Sequence, residues 1–237
     1  MELPPSAAAR IAENLASVQD CIAVAAARSG RPVSAVTLVA VTKYAGSDAA
    51  QALVRAGCHD LAESRPQELW HKAAALADQP VRWHLVGHLQ RNKLKRTLPL
   101  IWLIHSCDSL RLLAAIDAEA QQLGRRPAVL LEVNISGDPA KHGFAPHELT
   151  AAWDVVLGHQ HVELRGLMGM AGVEGDLELA RRDFTALRLL RDKLQTAAGH
   201  RVRLDELSMG MSGDYEVAIA EGATIVRIGS ALFEGLA

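Results

Sequence analysis

A lysine follows a run of aliphatic residues in the first third of the chain, in the sequence Leu38-Val-Ala-Val-Thr-Lys43. The run has no helical spacing, and an uninterrupted apolar run of this length is typical of a strand buried on both faces. A lysine at the tip of such a strand is expected to be partly desolvated, which favours its neutral and nucleophilic form. Lys43 is therefore a candidate to hold an aldehyde as a Schiff base. The alternative is a lysine whose ammonium group simply extends into solvent.

Two glycine-containing segments near the end of the chain each follow a short apolar run. The first is Ser208-Met-Gly-Met-Ser212, and the second is Arg227-Ile-Gly-Ser230. Glycine lets the backbone approach a ligand closely, and free N–H groups at a helix start favour an anion. A tight turn would explain either segment alone. Together they predict a phosphate site, whose candidate residues are Ser208, Gly210, Met211, Ser212, Gly229 and Ser230.

A ligand with an aldehyde at one end and a phosphate at the other fits both Lys43 and the predicted phosphate site. Pyridoxal 5′-phosphate (PLP) is such a ligand, and it would bring its own chemistry. Arg227 has two interpretations at this stage. It faces the pyridine nitrogen, which a nearby cation keeps unprotonated, or it binds the phosphate directly. Ser64 and Asn134, which stand at the ends of two other predicted strands, are further candidates for contact with the cofactor.

Short apolar runs alternate with amphipathic helices after an opening helix at 6–28. The predicted strands are 36–42, 58–62, 81–86, 101–105, 128–135, 162–168, 204–207 and 223–228, and the helices between them are 47–56, 66–77, 89–98, 109–123, 146–157, 177–198 and 214–221. This alternation predicts parallel βαβ units and an α/β fold. Eight such units in 237 residues predict a (β/α)8 TIM barrel, as one domain over 1–237 with an extra N-terminal helix. An open doubly wound sheet is the alternative, but the first strand is not followed by Gly-x-Gly-x-x-Gly.

The barrel prediction also says where the chemistry should be. In such barrels the functional residues lie where the strands end, at the C-terminal face. All the candidates above stand at predicted strand ends, whereas the strand bodies are aliphatic.

Composition excludes several function classes. The net charge is −2, so no general attraction to nucleic acid or to anionic membranes is expected. No apolar run approaches the length of a membrane span, and the N-terminus lacks the pattern of a signal peptide. Three scattered cysteines without metal-ligand spacing fit a reducing compartment. We therefore expect a cytoplasmic protein.

No metal site is predicted. His84 and His88 are four residues apart, as ligands on a helix would be, but Gly87 and the strand-to-loop context argue against a helix. No third ligand is placed by the sequence.

The ordered set of motifs resembles the pyridoxal phosphate homeostasis protein family, single-domain relatives of the alanine racemase barrel (PLP fold-type III). The resemblance extends from Val39 to Gly235, and its motifs are Val39-Ala-Val-Thr-Lys43, Glu63-Ser-Arg-Pro-Gln-Glu68, Trp83-His-Leu-Val-Gly-His-Leu-Gln-Arg-Asn-Lys93, Ile104-His-Ser-Cys-Asp108, Glu132-Val-Asn-Ile-Ser136, Lys141-His-Gly143, Arg165-Gly-Leu-Met168, Leu207-Ser-Met-Gly-Met-Ser212 and Val226-Arg-Ile-Gly-Ser230. The resemblance implies a protein that holds PLP on Lys43 and acts in intracellular PLP homeostasis by buffering or delivering the cofactor. It also implies little or no catalytic turnover, a monomer, and apo PLP-dependent enzymes as acceptors.

One position departs from the family pattern, which usually reads Gly-Glu-Asn where this chain has Ala62-Glu-Ser64. The family asparagine is thought to contact the ring side of the cofactor. Ser64 is shorter and has a single hydroxyl donor, so that contact is either lost or bridged by water. Lys141 matches a family lysine and is a candidate for a second, weaker aldehyde acceptor or an ordinary loop lysine.

The alternative function is a small PLP-dependent amino-acid racemase. Racemisation needs a base on each face of the substrate carbon, and Lys43 supplies one. Racemases of this barrel type take the other from a tyrosine of a partner subunit and carry an additional β-domain, for which we expect no room here. The only tyrosines are Tyr44 and Tyr215. The missing second base favours the carrier. A phosphosugar lyase with a Schiff-base lysine is a weaker alternative, because its lysine would more naturally lie on a later strand.

Overall fold

The computed structural model describes residues 3–172 and 176–236, and within these ranges eight parallel strands form a closed barrel. The strands are β1 (Thr37–Val41), β2 (Asp60–Glu63), β3 (Arg82–Leu85), β4 (Ile101–Cys107), β5 (Ala128–Val133), β6 (Glu163–Gly169), β7 (Glu206–Ser208) and β8 (Ile225–Ile228). Each strand pairs with the next along the chain, and β8 closes the barrel on β1. The predicted (β/α)8 barrel is confirmed.

Helices cover the outside of the barrel between successive strands. They are α1 (Pro5–Arg28), α2 (Ser47–Arg55), α3 (Pro66–Ala75), α4 (Leu94–Thr97), α5 (Leu110–Leu123), α6 (Pro146–Ala151), α7 (Trp153–Leu157), α8 (Leu177–Ala198) and α9 (Tyr215–Ala220), with 3₁₀ turns at Val33–Ala35, Arg91–Lys93 and Ser230–Phe233. No helix of the described ranges is both long and apolar enough to cross a membrane.

Two predicted helices differ from the structure. The helix expected at 89–98 is a 3₁₀ turn followed by the short α4, because the backbone is still extended at Gln90. The helix expected at 146–157 breaks at Ala152 into α6 and α7. The other helices begin and end within two residues of their predicted bounds. Ser109 caps α5, since its hydroxyl accepts the Leu112 N–H at 3.3 Å.

Apolar side chains form two separate clusters. The larger one fills the space between the barrel and its helices, and it includes the buried face of α1 around Ile11, Leu15 and Ile22. The smaller one lines the barrel interior with Val39, Ala62, Leu103, Ala128, Leu130, Met168 and Ile225. Because successive side chains alternate across a strand, the residues between these positions face the helices. Val41, Val86 and Met170 pack against this cluster, and buried polar residues such as His84, His105, Ser208 and Arg227 complete the interior.

Candidate functional site

Lys43 lies in the turn that follows β1, two residues beyond the last residue of the strand. Its side chain is exposed, and its Nζ lies 5.0 Å from the centroid of the Tyr44 ring, which is 94% exposed. The partial burial expected for Lys43 is therefore wrong. The strand ends at Val41, and the turn takes the lysine out of the packed interior. The amine is accessible to a ligand at the C-terminal face of the barrel.

A buried ion pair holds the backbone directly before this lysine. Lys72 of α3 donates from Nζ to Glu63 Oε1 at 2.5 Å and to the Thr42 carbonyl oxygen at 2.8 Å. The Thr42 hydroxyl donates to the same Glu63 oxygen at 2.5 Å. Glu63, Thr42 and Lys72 are all buried, so these bonds are shielded from water. The ion pair therefore fixes the backbone at Thr42, directly after β1.

Backbone amides converge on one hydroxyl at the end of β8. The N–H groups of Gly229 and Ala231 both point to Ser212 Oγ, at 3.4 and 3.5 Å. We call Ser212, Gly229 and Ala231 the amide cradle. The two N–H groups donate to the hydroxyl oxygen, whose own hydrogen can donate in turn, and three donor groups so close together suit an anion such as a phosphate.

The loop that presents Ser212 is held in a conformation only glycine suits. Gly210 has φ of +90°, and a Cβ there would lie 2.6 Å from the Ala218 Cβ. Its carbonyl accepts the Arg227 N–H at 3.0 Å, while Asp214 Oδ1 accepts the Met211 N–H at 2.6 Å. Asp214 therefore closes the loop, and its side chain makes no capping hydrogen bond to α9.

The amide cradle and Lys43 lie beyond the ends of two neighbouring strands. β1 pairs with β8 through Val39 with Arg227 and Ala40 with Ile228. A Cβ on Gly229 would lie 3.5 Å from the Val41 carbonyl oxygen, which is ordinary contact distance. The structure thus brings the two segments that sequence analysis singled out to adjacent strand ends.

Arg227 and Ser208 lie deeper than the cradle, inside the barrel. Arg227 is 4% exposed and donates from Nη1 to Ser208 Oγ at 2.7 Å and from Nη2 to the Gly169 carbonyl at 3.1 Å. Burial lowers the pKa of Arg227 to about 10, although Glu132 and Asp214 oppose the shift. The guanidinium is still a cation at neutral pH. Ser208 is completely buried, and its hydroxyl faces Arg227 and the barrel interior.

The remaining candidates occupy the loops around the mouth of the barrel. Ser64 is half-buried, and Gly87 passes so close to it that a Cβ there would lie 2.3 Å from the Ser64 carbonyl oxygen. Asn134 donates from Nδ2 to the Asp138 carbonyl at 2.8 Å, so its amide closes the loop after β5. Met211 and Ser230 are exposed.

Glu132 lies in the barrel interior, and no role was predicted for it from the sequence. It is buried on β5, and burial, reinforced by Asp108, raises its pKa to about 7, while Arg227 and His88 oppose the shift. Its position offered a signal: a glutamate inside an otherwise apolar strand run, Ala128-Val-Leu-Leu-Glu-Val133, is expensive to bury unless it is neutral or paired.

The two histidines considered as metal ligands lie in different environments. His84 is buried inside the barrel, whereas His88 is exposed and lies 3.3 Å from Asp108. Within 3–172 and 176–236, no group of three or more His, Cys, Asp or Glu side chains is placed to hold a metal ion.

Comparison with known proteins identifies the relatives of this arrangement. Residues 8–236 match the family described as the N-terminal domain of alanine racemase. The pyridoxal phosphate homeostasis protein of Aquifex aeolicus is 38% identical over 221 residues, which cover 93% of this chain and 96% of that protein. The protein of the same name from Pseudomonas aeruginosa is 39% identical over 224 residues, 94% of each chain.

The chain belongs to the pyridoxal phosphate homeostasis proteins. The family resemblance stated from the sequence motifs is thereby confirmed.

Solved structures agree with this family assignment. PipY of Synechococcus elongatus, whose structure was solved with PLP bound, has a TM-score of 0.83 and 37% identity, over 94% of this chain and 99% of that chain. An alanine racemase of Clostridium difficile has a TM-score of 0.69 at 18% identity, over 83% of this chain and 54% of that one. The racemase comparison supports the barrel fold alone, whereas PipY is a neighbour of 37% identity whose structure contains bound PLP.

Proposed function

We propose that this homeostasis protein binds PLP covalently through Lys43 and acts in the cytoplasm to buffer the cofactor and deliver it to apo PLP-dependent enzymes. The observation that carries the proposal is the pairing of an accessible lysine after β1 with an amide cradle after the adjacent β8. A relative with 37% identity binds PLP. We further propose that the protein works as a monomer and as one domain.

The residues of the site fit the cofactor at both of its ends. Gly229 and Ala231 offer backbone N–H groups and Ser212 a hydroxyl, as a phosphate requires. Lys43 offers an exposed amine on the neighbouring strand. When bound, PLP supplies an aldehyde that condenses with an amine and a pyridine ring that withdraws electrons.

Between these two ends, we assign Arg227 to the side of the pyridine nitrogen. Its guanidinium lies inside the barrel below the cradle, which leaves the phosphate to the backbone amides. A cation in this place keeps the ring nitrogen unprotonated, because two cationic groups repel each other. An unprotonated ring is a weaker electron sink. Ser64 and Asn134 stay candidates for contact with the ring.

We expect little catalytic turnover, because neither tyrosine is suited to be a second base. Tyr44 is adjacent to Lys43 and is almost fully exposed. Tyr215 is buried at the start of α9, and burial raises its pKa. Loss of one acid–base group typically costs on the order of a hundredfold or more in rate. Racemisation of alanine or serine should therefore be near background.

The covalent site is tested by Lys43→Ala. This variant should fold and melt like the parent, because Lys43 is exposed, and it should form no adduct with PLP that borohydride can reduce. Lys141→Ala is the matched control, since Lys141 donates to the Ala171 carbonyl and is the other candidate acceptor. A reducible adduct in Lys43→Ala that is lost in Lys141→Ala would move the attachment point to Lys141.

The carrier function is tested by transfer and by turnover. The loaded protein should restore activity to an apo PLP-dependent enzyme while its own absorbance falls. Deuterium exchange at the α-carbon of alanine and serine, followed by chiral analysis, measures racemisation. Robust inversion that requires Lys43 would make the protein a small racemase.

A further inference from the structure

A continuous row of polar side chains crosses the barrel interior. His84 Nε2 lies 3.0 Å from Asp60 Oδ1, and His84 Nδ1 lies 2.9 Å from His105 Nε2. His105 Nδ1 lies 2.8 Å from Ser208 Oγ, which accepts from Arg227 at 2.7 Å. We call Asp60, His84, His105 and Ser208, with Arg227 at the end, the interior chain. It connects β2, β3, β4, β7 and β8.

The middle of the interior chain is buried, and both of its ends carry charged side chains. His105 and Ser208 have no exposed surface, and His84 is 2% exposed. At one end stands Arg227. At the other end Asp60 pairs with Arg82, whose Nε donates to Asp60 Oδ1 at 2.7 Å and whose side chain is half-exposed at the start of β3. A row of this kind spans the distance from the cofactor side to the N-terminal face.

The hydrogen bonds can be given one direction. A guanidinium only donates, so the Ser208 hydroxyl oxygen accepts from Arg227 and its hydrogen points to His105 Nδ1. His105 then carries its hydrogen on Nε2 and donates to His84 Nδ1. His84 in turn carries its hydrogen on Nε2, which faces the Asp60 carboxylate.

The opposite direction leaves a buried hydroxyl without an acceptor. If His105 donated from Nδ1, the Ser208 oxygen would accept twice, and among the described residues its hydrogen would have no third partner. Burial, together with His84 and Arg227, also holds the pKa of His105 well below its ordinary value, so the ring is neutral. A neutral imidazole ring has one nitrogen that donates and one that accepts, so each histidine accepts one hydrogen bond and donates one.

We propose that Ser208, His105, His84 and Asp60 are positioning residues that hold the Arg227 guanidinium in one orientation from the far end of the barrel. The proposal rests on the proposed function, in which Arg227 faces the PLP ring. Two N–H groups of the Arg227 guanidinium are held by Ser208 and the Gly169 carbonyl. These two bonds fix the direction in which the remaining N–H groups point. Without the interior chain, the Arg227 side chain would lose the acceptor that fixes the orientation of its guanidinium.

The first experiment reads the direction of the chain in the parent protein without PLP. Nitrogen-15 NMR of the histidine rings at neutral pH should show hydrogen on Nε2 of both His84 and His105, with resonances assigned by the loss of each in His84→Gln and His105→Gln. Hydrogen on Nδ1 of either ring would overturn the inference. This result does not depend on cofactor binding.

The second experiment reads the effect on the cofactor. His105→Leu removes both hydrogen bonds and leaves the buried Ser208 hydroxyl without an acceptor, so Arg227 is held less firmly. This variant should weaken PLP binding about tenfold and shift the absorbance of the bound cofactor. His105→Gln keeps an acceptor and a donor and should restore both to near parent values. Leu103→Ala is the matched control, because Leu103 lies beside His84 on the interior face of β4 and its truncation creates a cavity without removing a hydrogen bond of the interior chain.

The outcomes separate the two proposals. If the parent forms no borohydride-reducible adduct, the proposed function fails, and the inference fails with it. If the parent forms the adduct and His105→Leu has the same affinity and spectrum, only the inference is overturned. A spectral shift as large in Leu103→Ala as in His105→Leu would also overturn it, because general destabilisation would then explain both.

Discussion

The rim of the barrel mouth and the buried polar groups beneath it border the same proposed PLP site but differ in their chemistry. On the rim, Lys43, Met211 and Ser230 are exposed, and the donors that converge in the amide cradle are mainly backbone N–H groups. Beneath the rim, Lys72 and Arg227 are buried cations whose hydrogen bonds go to other buried groups.

This difference indicates which substitutions should change ligand affinity and which should change the free energy of unfolding. An exposed side chain loses little when it is replaced, because water substitutes for its partners. A buried polar group that loses its partner bears the full desolvation cost. Rim variants should therefore change ligand affinity alone, whereas variants beneath the rim should change the free energy of unfolding as well.

The largest effect is expected for Lys72→Met. This change leaves the Glu63 carboxylate buried without its cation, and Glu63 Oε2 already has no hydrogen-bond partner within the described residues. Breaking a buried ion pair from one side costs roughly 3–5 kcal/mol. Chemical denaturation of the protein without PLP would measure it.

A double variant and a surface variant sharpen this test. Adding Glu63→Gln to Lys72→Met removes the stranded charge and should recover a large part of the loss. Lys95→Met, at an exposed position of α4, should be nearly neutral. A loss of similar size in Lys95→Met, or no recovery in the double variant, would show that the buried pair is not the cause.

A gain of stability is expected for Glu132→Gln at high pH. The raised pKa means that folding keeps Glu132 protonated between its ordinary value of 4.5 and about 7, so the parent loses stability as the pH rises through this window. The cost approaches roughly 3 kcal/mol when the shift is converted at 1.36 kcal/mol per unit. The variant should match the parent near pH 4 and exceed it at pH 8.

The control for this prediction is Glu68→Gln, at an exposed position of α3. Its difference from the parent should stay small and nearly constant between pH 4 and pH 8. If thermal melts show the same difference between Glu132→Gln and the parent at both pH values, the pKa of Glu132 is the same in the folded and the unfolded protein, and its burial is not what limits stability.

The smallest effects on stability are expected on the rim. Gly229→Val would press a branched side chain against Val41 and should weaken PLP binding tenfold or more, whereas Ser230→Ala should change affinity by less than about threefold, because the cradle uses backbone N–H groups. Ser230→Ala should leave the free energy of unfolding within about 0.5 kcal/mol of the parent. Equal losses of affinity in the two variants would indicate recognition by side chains.

Local sequence patterns predicted most of the fold. Runs such as Ala128-Val-Leu-Leu at β5 and the apolar face of α1 gave the order and type of the elements, because strand and helix periodicities are properties of neighbouring residues. The same patterns placed Lys43 and Gly229 at strand ends. They did not resolve the region around 89–98, where extended backbone replaced the predicted helix start.

The amino-acid sequence by itself thus determined the barrel, the family and the segments that form its mouth. Only the tertiary structure decided that Lys43 is exposed, that Lys72 is paired with Glu63, and that His105 meets Ser208. His105 and Ser208 are 103 positions apart, and no local pattern relates them. Closing the sheet into a barrel turns alternate side chains of distant strands toward one axis, so burial and partnership are set by that closure.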